Sequence, residues 1–363
     1  MHPRSSPPIG CRLDASATSS TVLARAELAT LARSVGSHRG WLTCSADGDL
    51  QIAMSSADVD AARGITATCL AAAGLIDSDR VVVALNNDGA GVGVLWSEAA
   101  AQICAAATVT RPDGTRRLLG RLAAADATAL ICTPTAARQL ADFVTRDPDA
   151  DPGVRRVVLV GEIVGRTDAA TIRRSLRCLV SEVWPDPVFG VALAWRDALT
   201  STSFRRGDPR LISTAPITET AAEWIVHPRW AEQLGGISYR SGVVSASSDP
   251  SVLDRPRWTT GDQLLVRGRW FSCGSLERTL DSLGIHDWQL RIERQEAAER
   301  IELVVDDPTP IAPIAEALRA ITPLRVEVRH AQLPERAARL HDARGHHLDQ
   351  PFTSRPSRVS PRS

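Results

Sequence analysis

The sequence predicts an α/β chain: a large N-terminal domain with a parallel α/β sheet plus extra β segments, followed by a small α+β domain. Three observations carry that prediction. Short apolar, β-branched runs alternate with helical segments between residues 56 and 184. After about residue 200 the alternation gives way to short β segments alone. The last stretch, from about residue 275, reads helix, strand, strand, helix, strand. A repeated strand–helix order implies parallel strands joined by right-handed crossovers, whereas the closing order implies a separate α+β layer.

Taken along the chain, residues 1–20 are rich in Ser and Pro, lack the apolar core of a signal peptide, and are expected to be disordered. Residues 56–74 start with Ser and continue with small and apolar residues at helical spacing, a helix. Arg80–Asn86 is a short β-branched run of the buried parallel-strand type. An alanine-rich helix over 91–107 follows, then a strand at Thr128–Thr133, a helix at 134–145 and a strand at Arg156–Gly161. One more helix, 167–177, leads into a strand ending near Trp184. Glu223–His227, Gly236–Val244 and Gln263–Arg267 are the later β segments. The small domain has a helix at 275–284, strands Gln289–Glu293 and Arg300–Val305, a helix at 311–321 and a strand Leu324–Arg329. The expected division is therefore 21–267 for the large domain, 268–348 for the small one, and a disordered tail over 349–363.

Composition excludes several chemistries. All 42 basic side chains are arginine and no lysine occurs, so a lysine Schiff base and a Walker-type phosphate loop are both ruled out. Formal charge balances at +0, against a nucleic-acid partner. The 7 cysteines show no CxxC spacing, so neither a zinc site nor a disulfide framework is expected, and a reducing cytoplasm is the default location. No apolar run reaches the ~18 residues that span a bilayer, so no membrane partner is expected.

Several segments in chain order carry more specific information. Thr43-Cys44-Ser45-Ala46-Asp47-Gly48-Asp49-Leu50 keeps the small hydroxyls of Thr43 and Ser45 and the glycine Gly48, but places two carboxylates among them. Cys132–Thr135 reads CTPT at a strand end, and Val160-Gly161-Glu162 ends the next strand. Asp186–Ala194 holds Phe189-Gly190 and then Ala192 and Ala194. Arg255–Asp262 reads RPRWTTGD, and Arg267–Gly274 precedes the helix Ser275–Leu280. Glu335–Arg344 closes the set with Arg336, Arg339, Asp342 and Arg344. Read by themselves, these are a polar turn, a helix start, strand ends and β-turns.

In this order they resemble the phenylacetate-CoA ligase branch of the adenylate-forming superfamily, over roughly residues 22–345. The resemblance implies a mobile small domain, ATP or AMP as cofactor, coenzyme A as thiol acceptor and a small carboxylic acid as substrate. It puts Thr43, Ser45 and Gly48 on the phosphates, Gly161, Glu162, Phe189 and Gly190 at the adenine, and Asp262 on the ribose hydroxyls. Arg336 takes the position of the transition-state lysine as the catalytic candidate. An arginine fork is a different charge from an ammonium point. The position of the magnesium-binding acid is taken by alanine, which offers a hard cation no oxygen. The expectation is a catalytically weakened ligase-like protein that binds an adenine nucleotide or acyl-adenylate. An active acid-activating ligase and a non-enzymatic pseudoenzyme, partner of a ligase, carrier protein or biosynthetic complex, are the alternatives. The tryptophans Trp184, Trp195, Trp224 and Trp230 read either as core or as an aromatic acyl pocket.

Overall fold

The structure is a computed structural model; it describes residues 22–348 apart from 25–26, 29–40, 45–50, 87–91, 112–113, 148, 235, 247–248, 250, 296–297 and 335–337. Strands β1 (Val22–Leu23), β2 (Trp41–Cys44) and β3 (Gln51–Met54) precede helix α1 (Ser56–Ala72). Ser55 and Asp58 form a reciprocal capping box that fixes where this helix begins. There follow β4 (Arg80–Ala84), α2 (Val92–Ala101), β5 (Ala106–Thr110), α3 (Thr115–Ala124), β6 (Ala129–Cys132), α4 (Pro134–Arg146), β7 (Arg156–Val160), α5 (Arg166–Leu176) and β8 (Leu179–Pro185). These strands run parallel in the order β5-β4-β6-β7-β8. Strands β9 (Ala192–Asp197), β10 (Ser203–Arg206) and β14 (Leu253–Asp254) extend the same sheet antiparallel, to eight strands.

The period-2 alternation of strands places two cores on this sheet. In β4, Val82 and Ala84 join Leu118, Leu122, Leu140, Ile172 and Leu176, the apolar sides of α3, α4 and α5. Val81 and Val83 face the other way, onto Leu70, Trp96, Ala99 and Ala100 of α1 and α2. Both faces are covered, which is why the strands read as continuous apolar runs.

A second sheet contains β11 (Ile212–Thr218), β12 (Ala221–Val226), β13 (Ser238–Ser245) and β15 (Pro256–Thr259), with β1 on its edge. The aromatic residues gather between the sheets: Trp224 packs edge-on against Trp184 at 5.8 Å and Phe204 at 5.6 Å. Trp184, Trp224 and Trp230 are core residues, while Trp195 is half-buried under Arg205 at 5.3 Å.

The hairpin β16 (Gln263–Val266)–β17 (Arg269–Ser272) leads into the small α+β domain. Its members are α6 (Cys273–Ser282), β18 (Trp288–Gln295), β19 (Ala298–Val305), α7 (Ile311–Ile321), β20 (Val326–His330) and β21 (Leu340–Asp342). The sheet order is β20-β19-β18-β21, with Leu276, Leu280, Ile314 and Leu318 of the two helices on Trp288, Leu290, Ile301 and Leu303. Each such buried side chain contributes about 1.5–3 kcal/mol relative to exposure. Leu264 and Val266 of β16 belong to this same core.

One expectation is corrected. The helix expected over 91–107 stops at Ala101, and residues 106–107 open β5, which pairs with Arg80 and Val81 of β4. Ladder pairing at the sheet edge, with the β-branched Thr108, Val109 and Thr110 behind it, outweighs alanine propensity. Among the described residues no helix is long and apolar enough to cross a membrane.

Candidate functional site at the domain seam

The carboxyl end of β7 meets the turn between β16 and β17. Gly161 has φ +77°, and a β-carbon there would lie 3.7 Å from the Gly268 carbonyl oxygen. Gly268, with φ +70°, is tighter still: a β-carbon would come within 2.9 Å of Thr133 Cγ2. Arg267, next to Gly268 in the turn, adopts φ +50°, the left-handed region that costs a non-glycine residue about a kcal/mol. At Gly161 the two domains approach through backbone, and at Gly268 backbone lies against the Thr133 and Glu162 side chains.

Glu162 lies behind this contact. Its Oε2 accepts from the Thr135 amide at 2.9 Å and the Thr135 hydroxyl at 2.8 Å, at the first turn of α4 that Thr133 caps and Pro134 opens. Its Oε1 is buried and has no hydrogen-bond partner. Burial first, and then the Glu299 carboxylate of the small domain, push the Glu162 carboxyl up to about 7. An acid in that range holds its proton part of the time near neutrality, so Glu162 can either donate or accept.

Glu299 is held in place by its own partners. Arg267 donates its backbone N–H to Glu299 Oε2 at 2.8 Å, and Arg344 Nη1 donates to Oε1 at 2.7 Å. Arg344 also grips Asp342 at 2.8 Å through both Nε and Nη2 and the Leu265 carbonyl at 3.0 Å. Nearby, Asp168 of α5 pairs with Arg138 at 3.3 Å within the large domain and with Arg294 at 2.8 Å across the seam. Burial and the neighbouring Arg344 hold the His346 imidazole below its usual range. Thr135, Arg138, Glu162, Asp168, Arg267 and Arg294 line a cavity of about 20 Å³.

The other expected residues lie elsewhere. Phe189 is 2 % exposed in the core, edge-on to Trp230 at 5.8 Å. The turn before it is fixed by Asp186, which accepts from the Val188 amide at 3.0 Å, the Phe189 amide at 3.1 Å and the Tyr239 hydroxyl. Gly190 takes φ +70° and accepts from Trp96 Nε1 at 2.7 Å. Ala192 and Ala194 are buried in β9. Asp262 is exposed, and its carboxylate serves α6: Oδ1 accepts from the Gly274 amide at 2.8 Å and Oδ2 from the Ser272 hydroxyl at 3.1 Å. Thr43 pairs with Ile52 in the β2–β3 ladder, while its side chain, Ser45 and Gly48 lie outside the described residues, as does Arg336. Arg339 packs over the Trp288 ring at 5.0 Å and pairs with Glu277, so it acts within the small-domain core. Gly161 and Glu162 are thus the expected residues that reach the seam. Arg344, from the closing Glu335–Arg344 segment, reaches it through Glu299, as do Asp168, Arg294 and Glu299 themselves, which no motif announces.

Among the described residues no group of three or more His, Cys, Asp or Glu could hold a metal ion. No family model matches the chain, and no curated protein matches it. Solved structures do match by shape. A 2-hydroxyisobutyryl-CoA ligase in complex with 2-HIB-AMP and CoA, in the thioesterification state, is 15% identical and overlaps at a TM-score of 0.69 over 89% of this chain and 80% of that one. The same ligase in the postadenylation state gives 0.55 at the same identity and coverage. A malonyl-CoA ligase with methylmalonyl-CoA and AMP bound gives 0.58 at 16% identity, over 81% of this chain and 70% of that one. The amide bond synthetase McbA from Marinactinospora thermotolerans gives 0.58 at 17% identity, over 79% and 64%. The chain has the adenylate-forming enzyme fold, a large α/β N-terminal domain followed by a small α+β C-terminal one.

Proposed function

We propose that this protein is a phenylacetate-CoA ligase-like member of that fold group in which carboxylate adenylation is weakened. In this reading a nucleotide or acyl-adenylate reaches Glu162 only when the small domain moves off it. The observation that carries the reading is the seam itself. A cavity of about 20 Å³ holds one water, whereas a site for a nucleotide-sized ligand runs to about 300 Å³ or more. In the arrangement described, the residues therefore do not fit an adenine nucleotide. Magnesium does not fit either, because buried Ala192 and Ala194 supply no oxygen ligand. No chemical step is derived through either group.

Two further observations support weakened chemistry. The Asp262 carboxylate holds the start of α6, which competes with gripping a ribose. Phe189 is closed into the core against Trp230 and presents no face to the seam. What remains is a buried, proton-sharing carboxyl with one unpartnered oxygen, suited to one hydrogen bond from a bound base or water.

The test is calorimetric titration with AMP and ATP, beside pyrophosphate release with a panel of aryl and acyl acids. The reading expects weak AMP binding and no acid-dependent pyrophosphate release above the blank. Release that depends on both ATP and acid overturns it. That outcome would favour an active acid-activating ligase, a reading supported by the closer overlap with the thioesterification-state ligase. Absence of any adenine nucleotide binding at millimolar concentration leaves the pseudoenzyme reading, with a carrier protein or a ligase as partner.

A further inference from the structure

A second recess, sharing no lining residue with the seam, lies between the start of α5, the turn joining β9 to β10, and the segment leading into β15. Its volume is about 210 Å³, and Arg166, Arg196, Arg255 and Arg257 line it with Asp254 and Thr202. Arg196 is 3 % exposed and is fixed from behind: it pairs with the buried Glu182, and its Nη1 donates to the Ser201 carbonyl at 2.7 Å. The Nε atoms of Arg196 and Arg255 are buried without a hydrogen-bond partner. Among the described residues, Arg166, Arg255 and Arg257 form no ion pair. Burial lowers the Arg255 guanidinium from its usual range; the Glu182 carboxylate opposes this, while Arg196 and Arg257 push in the same direction as burial.

The charges do not balance. Four arginines line the recess with one carboxylate, Asp254, which already accepts from the Ser203 hydroxyl at 3.0 Å, and behind them the buried Glu182 pairs with Arg196 and acts on Arg255. The excess is two positive charges in a concave, hydroxyl-bearing recess. An apolar ligand leaves that excess unanswered, and a single carboxylate answers half of it. A dianionic tetrahedral oxyanion answers all of it, and its oxygens match the forked donors of arginine.

We propose that this recess binds the phosphate of a phosphate monoester, or free phosphate, through Arg255 and Arg257 with Arg196 as its buried floor. The proposal does not depend on adenylation: it concerns a different surface, and no nucleotide at Glu162 is needed. Its test is titration of the full chain with inorganic phosphate, coenzyme A and dephospho-coenzyme A, the last two differing by one phosphate monoester. The wild type is expected to bind inorganic phosphate, coenzyme A in preference to dephospho-coenzyme A, or both. Arg255→Gln and Arg257→Gln are each expected to weaken that binding at least about tenfold, the loss of one charge-assisted hydrogen-bonded contact. Affinity should also fall steeply with added salt. Phosphate binding without a preference for coenzyme A identifies the free ion as occupant, whereas the preference identifies an esterified one. Arg257 is exposed, so R257Q stays informative even where R255Q does not fold. Absence of binding to all three probes, or wild-type affinity in R257Q, overturns the proposal.

Discussion

Replacing Glu162 by Gln should stabilise the protein above neutral pH and leave it nearly unchanged in mild acid. The side chain keeps its size, and its amide oxygen still accepts from Thr135. What disappears is the cost of holding a carboxylate among buried groups and opposite Glu299. Burial and Glu299 raise the carboxyl from 4.5 to about 7, a difference of about 2.5 units at ~1.36 kcal/mol each, or about 3 kcal/mol. Partial access of solvent to the residue reduces this to roughly 2 kcal/mol. The folded state holds the proton more tightly than the unfolded one. Stability therefore falls as pH rises from 4.5 through about 7, and the penalty is complete above that. Urea denaturation followed by tryptophan fluorescence, at about pH 5 and about pH 8, measures it. Wild type should lose about 2 kcal/mol between the two conditions and Glu162→Gln should lose markedly less. A Gln variant less stable than wild type at the higher pH would refute the reasoning, since it would mean that the charged carboxylate has a favourable partner.

Asp262→Ala should cost about 1 kcal/mol, the worth of a helix-start acceptor, because the Gly274 amide and Ser272 hydroxyl lose theirs. Thermal unfolding should shift down by a few degrees with no change in AMP affinity; unchanged stability with lost AMP affinity would restore the ribose role. Arg196→Ala should cost about 3–5 kcal/mol by stranding Glu182, which is 1 % exposed. A double variant, Glu182→Leu with Arg196→Leu, should recover much of that loss in the same denaturation assay, and a double variant as unstable as the single one would show that the pair itself stabilises the fold.

Strands β4, β6 and β7 were legible because both faces of the sheet are covered, which writes an unbroken apolar run into each. Strand β5 was not, because an edge strand of alanine and threonine carries no such signal and only its pairing with β4 reveals it. Helix α3 was missed for a related reason: its Leu118 and Leu122 are spaced for one face, but Gly120 and a run of arginines interrupt the pattern. At the seam, Gly161-Glu162 stood out as a strand-end pair. Glu299 did not, and Arg344 did only as a flank of the Arg336 segment, since the two come from a hairpin and a turn whose meeting with β7 is purely tertiary. Asp262 was legible as a motif position, but its partners Ser272 and Gly274 come after a whole hairpin, so the engagement with α6 was not.

The chain crosses between the two bodies more than once. The hairpin β16–β17 carries it into the small-domain core, and later it returns: the Thr259 amide donates to the His346 carbonyl at 2.7 Å, and the Leu348 amide donates to the Thr259 carbonyl at 2.9 Å. A body pinned at one point can turn about three axes, and one pinned at two points can turn about a single axis only. While this short bridge holds, the small domain is a door on two pins. A displacement of the Arg294 edge from Asp168 would keep this bridge, whereas presenting a wholly different face would require releasing His346 and Leu348 from Thr259.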